Sequence, residues 1–215
     1  MGADRLSLEA WSDLWRRLGA RSDPRPGHRA VLAAYAEPHR HYHTAEHIAR
    51  TLSVLDGMRA ALRRPAEAEL AVWLHDVVYD PRAADNETRS VAFGDALLAG
   101  SGVAPAVIEA TGRLILDTRH AAPPEEHDAR YVVDADLSIL GAPAAEFDRY
   151  EDQVRREYAF VPEPEWRERR ARLLYRFLDR PCIYHTTDLA GLEAPARANL
   201  ARSLSRLAGG AAPAS

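Results

Sequence analysis

The sequence predicts an all-α fold, and three observations predict it. Long windows carry apolar residues at the 3.6-residue period of an amphipathic helix, no window alternates as a half-buried strand does, and the 14 prolines fall mostly between the periodic windows, where they act as stops. No internal repeat and no composition shift divides the chain. At 215 residues it is long enough for one domain with a sizeable core, expected over residues 1–208, with 209–215 a disordered tail rich in glycine and alanine.

The helices are expected in this order. The first covers about Leu8–Leu18 with Ser7 as N-cap, and the second about Arg29–Ala36. The third runs from about Ala45 to Leu62, capped by Thr44, with Ile48, Leu52, Leu55 and Met58 on one face. The fourth spans about Ala66–Tyr79. The fifth begins near Asp85, a capping residue for Asn86-Glu87-Thr88, and continues to about Leu98. The sixth covers about Ala104–Thr118, followed by the Ala121-Ala122-Pro123-Pro124 loop. The seventh runs about Ala129–Leu140 and stops at Gly141-Ala142-Pro143. Two charged helices near Ala144–Tyr158 and Pro164–Leu178 follow, and a last lies near Pro195–Leu207.

Bulk properties exclude several classes. Apolar residues make up 47% and charged residues 28%, ordinary values for a globular protein. A net charge of -4 leaves no electrostatic footprint for nucleic acid, and no basic amphipathic segment suits a membrane surface. No stretch of roughly 18 uncharged apolar residues exists to cross a membrane, and the first residues lack the apolar core of a secretory signal. The single Cys182 rules out an internal disulfide framework and fits a reducing cytoplasm. It reads as an ordinary thiol rather than a nucleophile.

The chemistry concentrates in three places. The apolar run Leu70-Ala71-Val72-Trp73-Leu74 ends in His75-Asp76, and neither His nor an ionised Asp belongs in a buried helix without compensation. A divalent cation is a natural compensator. Upstream, Tyr42-His43-Thr44-Ala45-Glu46-His47 puts two imidazoles four residues apart, able to reach one cleft. Downstream, Asp134 and Asp136 stand in the apolar setting of Tyr131-Val132-Val133 and Leu137. Taken singly, His75 reads as a core histidine, Asp76 as a local cap, Asp136 as an internal acceptor and His47 as a surface residue. Taken in order, they make a His and carboxylate set that suits first-row divalent metals.

That order, His47, then His75-Asp76, then Asp136, resembles the HD superfamily of metal-dependent phosphohydrolases over about residues 40–140. The chain looks most like the small bacterial group of HD-type phosphohydrolases, on Asp80-Pro81, Asp85-Asn86-Glu87 and Asp134-Ala135-Asp136-Leu137-Ser138-Ile139-Leu140-Gly141. The opening Tyr42-His43-x-x-x-His47 is similar to that of class I cyclic nucleotide phosphodiesterases, although an evident purine-clamping glutamine helix is missing. The resemblance implies an HD-type helical bundle. It also implies one or two divalent ions (manganese, iron, cobalt, nickel, zinc or magnesium) on His47, His75, Asp76 and Asp136, with Asp134 the alternative last ligand. Such an ion acidifies water and polarises a phosphoryl oxygen.

By the same resemblance His43 is either proton donor to the leaving group or support for the ligands. Glu87 orients water, binds a second ion, or simply caps its helix. Arg119 is a candidate for phosphate contact, His120 for a place near the metal and the substrate, and Tyr42 for the pocket rim. Arg113 is a further phosphate candidate and Asp80 a further cap. The polar clusters Tyr184-His185-Thr186 and Arg197-Ala198-Asn199 are weaker candidates for substrate contact, and the arginine run 167–172 is expected to be a solvated face.

The expected activity is hydrolysis of a small phosphate ester, a nucleotide monoester first. The alternatives are a cyclic or linear nucleotide diesterase, a non-catalytic metal or nucleotide-binding module, and a di-iron oxygenase. Alarmone hydrolysis is disfavoured because Val77-Val78-Tyr79-Asp80 follows the His-Asp pair where such enzymes carry Glu-Asp. The expected partners are a small phosphate substrate, with no nucleic acid or membrane, and a second copy of the chain.

Overall fold

The computed structural model describes residues 5–209, and every regular element among them is helical. Ten α-helices run in chain order: α1 (Leu8–Arg17), α2 (Arg25–Tyr35), α3 (Ala45–Gly57), α4 (Pro65–Leu74), α5 (Asn86–Leu98), α6 (Pro105–Asp117), α7 (His127–Leu137), α8 (Ala144–Glu157), α9 (Glu163–Leu178) and α10 (Glu193–Gly209). The all-α expectation is met. The chain groups into two compact units that divide between Asp136 and Leu137.

The first unit is organised around α4. Its sequence is apolar on every side, and Ala68, Leu70, Ala71, Val72, Trp73 and Leu74 are all buried. A helix apolar all round has to be covered all round, and α1, α3, α5 and α6 pack against it. Trp11 of α1 sets its ring edge against Trp73 at 4.9 Å and stacks on Trp15 at 5.5 Å. The expected face of α3 (Ile48, Leu52, Leu55) is buried, with Met58 just past its end. The start of α4 has no side-chain cap of its own; Asp128, in the first turn of α7, accepts the N–H groups of Arg63 at 3.0 Å and Arg64 at 2.6 Å.

The second unit packs α10 against α9 and against the 3-10 turn Ser138–Gly141. Asn199 donates to the carbonyls of Leu140 and Ala142, both at 2.8 Å, and Tyr184 donates to that of Leu137 at 3.0 Å. Gly141 lies so close to Leu192 that an added Cβ would meet its Cβ at 2.7 Å and its carbonyl oxygen at 2.9 Å.

Several boundaries differ from expectation, each for a local reason. α2 begins four residues early because Pro26 is harmless in a first turn, where its missing N–H has no partner to lose. Ser7 caps α1, accepting from Ala10 N at 3.2 Å, but Thr44 and Asp85 occupy N-cap positions without a side-chain cap bond. α3 stops at Gly57 and yields to a 3-10 turn at Arg59–Ala61. α4 stops at Leu74, not Tyr79, so Asp76 lies beyond the helix. α7 starts two residues earlier than expected and gives way to the 3-10 turn after Leu137, while α10 runs to Gly209, the first residue of the expected tail. The rest of that expected tail, 210–215, and the first four residues lie outside the described residues. Within α9, Arg167, Arg169 and Arg172 pair with acids one turn earlier as a solvated face should, but Arg170 is buried against Glu151 and Tyr150.

Candidate metal centre

The end of α4 is settled by where its carbonyls go. A helix leaves its last four carbonyls without intrahelical partners. His75 Nδ1 takes that of Val72 at 2.9 Å, the Tyr35 hydroxyl takes that of Trp73 at 3.0 Å, and the amide of Val77 takes that of Leu74 at 3.1 Å. Side chains from other segments serve the turn that follows. Arg40 donates to Asp76 O and Val77 O, His39 Nε2 bonds Tyr79 O at 2.9 Å, and Ser90 Oγ accepts from Val78 N at 3.1 Å. The turn that carries His75 and Asp76 is therefore tied down nearly group by group, as buried backbone requires.

This arrangement aims His75 Nε2 at three other groups. His47, in the first turn of α3, brings its Nε2 within 3.2 Å. Asp76 Oδ2 lies 3.0 Å from His75 Nε2 and 3.5 Å from His47 Nε2. Asp136, in the last turn of α7, places Oδ1 3.2 Å from His47 Nε2 and 3.5 Å from His75 Nε2. Among the described residues, one atom each from His47, His75 and Asp136 forms a group within 4.8 Å of one another, and Asp76 adds a second carboxylate against both imidazoles. His47 and His75 are 3% and 2% exposed, whereas the carboxylates of Asp76 and Asp136 keep 15% and 14% of their surface. The nitrogens are sealed in and the carboxylates reach solvent.

The donor set fits a divalent cation. Because His75 Nδ1 carries its proton toward Val72 O, a neutral His75 presents a lone pair at Nε2. His47 Nδ1 faces Thr51 Oγ1 at 3.5 Å, with the Thr51 hydroxyl donating to His47 O at 3.0 Å, so its Nε2 also points inward as an acceptor. Two lone pairs 3.2 Å apart beside two carboxylates repel unless positive charge sits among them. Donors about 2.1 Å from a common ion stand roughly 3.0–3.4 Å apart along the edges of an octahedron or tetrahedron, close to the observed spacings.

The acid–base balance points the same way. Burial opposes an imidazolium at His75, but Asp76 and Asp136 outweigh it and raise His75 well above the ordinary histidine value. Burial pushes Asp76 up, yet His75 and His43 hold it well below the usual carboxylate range. Burial acts likewise on Asp136, and His75 and the hydrogen bonds from His120, His47 and His75 bring it well below. This charge pattern favours positive charge at the cluster, whether a proton on His75 or a divalent ion.

The remaining expected residues fall as follows. Asp136, not Asp134, supplies the last carboxylate; Asp134 is fully buried two positions earlier. His120 reaches the cluster through Asp136, its Nε2 2.8 Å from Oδ2, and holds a left-handed backbone with φ +53° to do so. His43 stacks on Tyr79 at 4.1 Å with its ring 5.9 Å from that of His47. Tyr42 does not form a rim: it is buried, packs its ring 4.8 Å from His47 and accepts from Arg50. Glu87 faces Arg119 at 3.6 Å, outside the group of clustered donors, and Arg119 also donates to Thr88. Arg113 pairs with Glu109 at 2.7 Å, and Asp80 caps its own loop by accepting from Arg82 N at 2.9 Å. Arg197 bonds Glu193 and the carbonyls of Leu178 and Arg180, and with Asn199 and Tyr184 it serves the packing of its own unit. Cys182 is half-buried with its sulfur 3.7 Å from His185 Nδ1.

Two residues were missed from sequence. Arg40 and Asp128 do their work on backbone groups tens of residues away, and no periodicity marks such a role. No family model matches the chain, and no curated protein or solved structure does. No helix among the described residues is long and apolar enough to cross a membrane.

Proposed function

We propose that the protein is a metal-dependent phosphohydrolase whose divalent ion is held by His47, His75, Asp76 and Asp136. The observation that carries this reading is the convergence of two buried imidazole nitrogens with two solvent-reaching carboxylates at 3.0–3.5 Å. When bound, the ion supplies Lewis acidity toward a phosphoryl oxygen and lowers the pKa of water. The chain's own residues do the rest. His75 and His47 are locked by Val72 O and Thr51 and so meet an ion without reorganising. His120 fixes the rotation of the Asp136 carboxylate. His43, held face to face with Tyr79 beside Asp76, is the general acid that delivers a proton to the leaving alkoxide. The substrate is a small phosphate ester, a nucleotide monoester in the first instance.

The test is phosphate release from a panel of nucleoside mono-, di- and triphosphates and cyclic nucleotides, on protein loaded in turn with manganese, cobalt, iron and zinc. Monophosphate cleavage that vanishes in His75→Ala supports the reading. Turnover of cyclic nucleotides alone, giving monophosphate without free phosphate, replaces it with diester hydrolysis. No metal uptake at any loading refutes the centre itself.

A further inference from the structure

Arg40 is a fully buried cation outside the donor set. Its side chain has 0% exposure, and it lies in the segment between α2 and α3. A guanidinium out of water is costly unless nearly every N–H is paired. Here Nε meets Glu37 Oε2 at 3.0 Å, Nη1 donates to Asp76 O at 2.7 Å and His43 O at 3.2 Å, and Nη2 donates to Val77 O at 3.0 Å. The plane is held between Tyr35 and Tyr79, with centroids 5.2 and 5.5 Å away. Its carbonyl partners belong to the candidate acid His43, to the ligand Asp76 and to the residue after it. Besides Glu37 and the two tyrosine rings, the Arg40 side chain bonds these backbones.

We propose that Arg40 is the positioning residue of the metal centre, holding the backbones of His43 and Asp76 in one register so that acid and ligand face the same ion. The inference rests on the metal reading above and deepens it. Only a planar fork can serve the two strands of backbone at once; an ammonium is a point charge with no fixed span. Glu37, whose side chain is 45% exposed, holds the far edge of the fork from the surface.

The test compares wild type, Arg40→Met, Arg40→Lys and Glu37→Gln as full chains with Co²⁺ as the probe. Affinity comes from competition titration, ligand geometry from the visible spectrum of the bound ion, and backbone order from hydrogen exchange at the amides of Val77 and Val78 in metal-free protein. Arg40→Met is expected to lower Co²⁺ affinity by about 10- to 100-fold, alter the spectrum and speed that exchange. Arg40→Lys should restore part of the affinity, and Glu37→Gln should lose a few-fold. Wild-type affinity and spectrum in Arg40→Met overturn the proposal. If Arg40→Met does not fold, the other two variants decide, and wild-type values in both overturn it. A wild-type chain that takes up no Co²⁺ refutes the metal reading instead. In that event unchanged exchange in the variants also refutes the clamp, and faster exchange sustains it.

Discussion

Replacing Asp128 should unfasten the helix that delivers His75. Asp128 is 1% exposed and accepts from the backbone N–H groups of Arg63 and Arg64, and from His127 Nδ1 at 2.8 Å. It is the N-terminal cap of α4, supplied across more than sixty residues of chain. Hydrogen bonds to a buried charge contribute about 1.5–3 kcal/mol each, and they are not additive. Asp128→Ala removes all three and strands the two backbone donors, so it should cost about 3–5 kcal/mol. Asp128→Asn keeps one acceptor and turns an NH₂ toward the other donor, for about 2–3 kcal/mol. With a urea slope of about 2–3 kcal/mol/M, the alanine variant's midpoint should fall by roughly 1.5 M, read by far-UV circular dichroism. The pH dependence adds a second check. Burial pushes the Asp128 carboxyl up, but the bonds from Arg63, His127 and Arg64 bring it below its ordinary value. Its contribution is then complete above about pH 3.9, the unfolded value, and is lost as pH falls through the lower folded value. The gap between wild type and Asp128→Asn should therefore close on acidification through that range and stay constant above about pH 5. An alanine variant within about 0.5 kcal/mol of wild type, or a gap indifferent to acid, would refute the capping role.

Other substitutions probe the site and the second unit. His47→Ala, His75→Ala and Asp136→Ala should each lower divalent-metal affinity by about 100-fold or more while helical circular dichroism persists, checked by metal analysis after gel filtration. His120→Gly should relieve the left-handed backbone and unfold about 1 kcal/mol later than His120→Ala. Both should bind metal about 10-fold more weakly for want of the bond to Asp136, as calorimetric titration would show. Gly141→Ala should destabilise by about 2 kcal/mol, because its Cβ would meet both the side chain and the backbone of Leu192; a urea midpoint equal to wild type would count against that contact.

Helix existence and order were legible because most helices bury a periodic face, and α4 an unbroken apolar run. In the cluster, His75, Asp76 and Asp136 were legible as charged types in apolar runs and His47 by its spacing from His43, while the preference for Asp136 over Asp134 came from the family resemblance. What escaped was non-local. The stop of α4 depends on Tyr35 and on the His75 ring capturing carbonyls, so the apolar run Val77-Val78-Tyr79 looked like more helix. Tyr42 looked like a rim residue because its burial follows from packing on His47, which spacing does not reveal. Glu87 was drawn toward the site by its nearness in sequence, while its partner Arg119 lies more than thirty residues on. Arg40 and Asp128 act on backbone groups, and any sequence can supply those.

The donors of the cluster come from the start of α3, the turn after α4 and the end of α7, with Asp136 the last residue of the first compact unit. During synthesis the set is incomplete until that residue has left the ribosome. An ion bound by the set would join segments roughly ninety residues apart in sequence. Loss of that ion would then loosen the joint between three distant segments while leaving each helix intact.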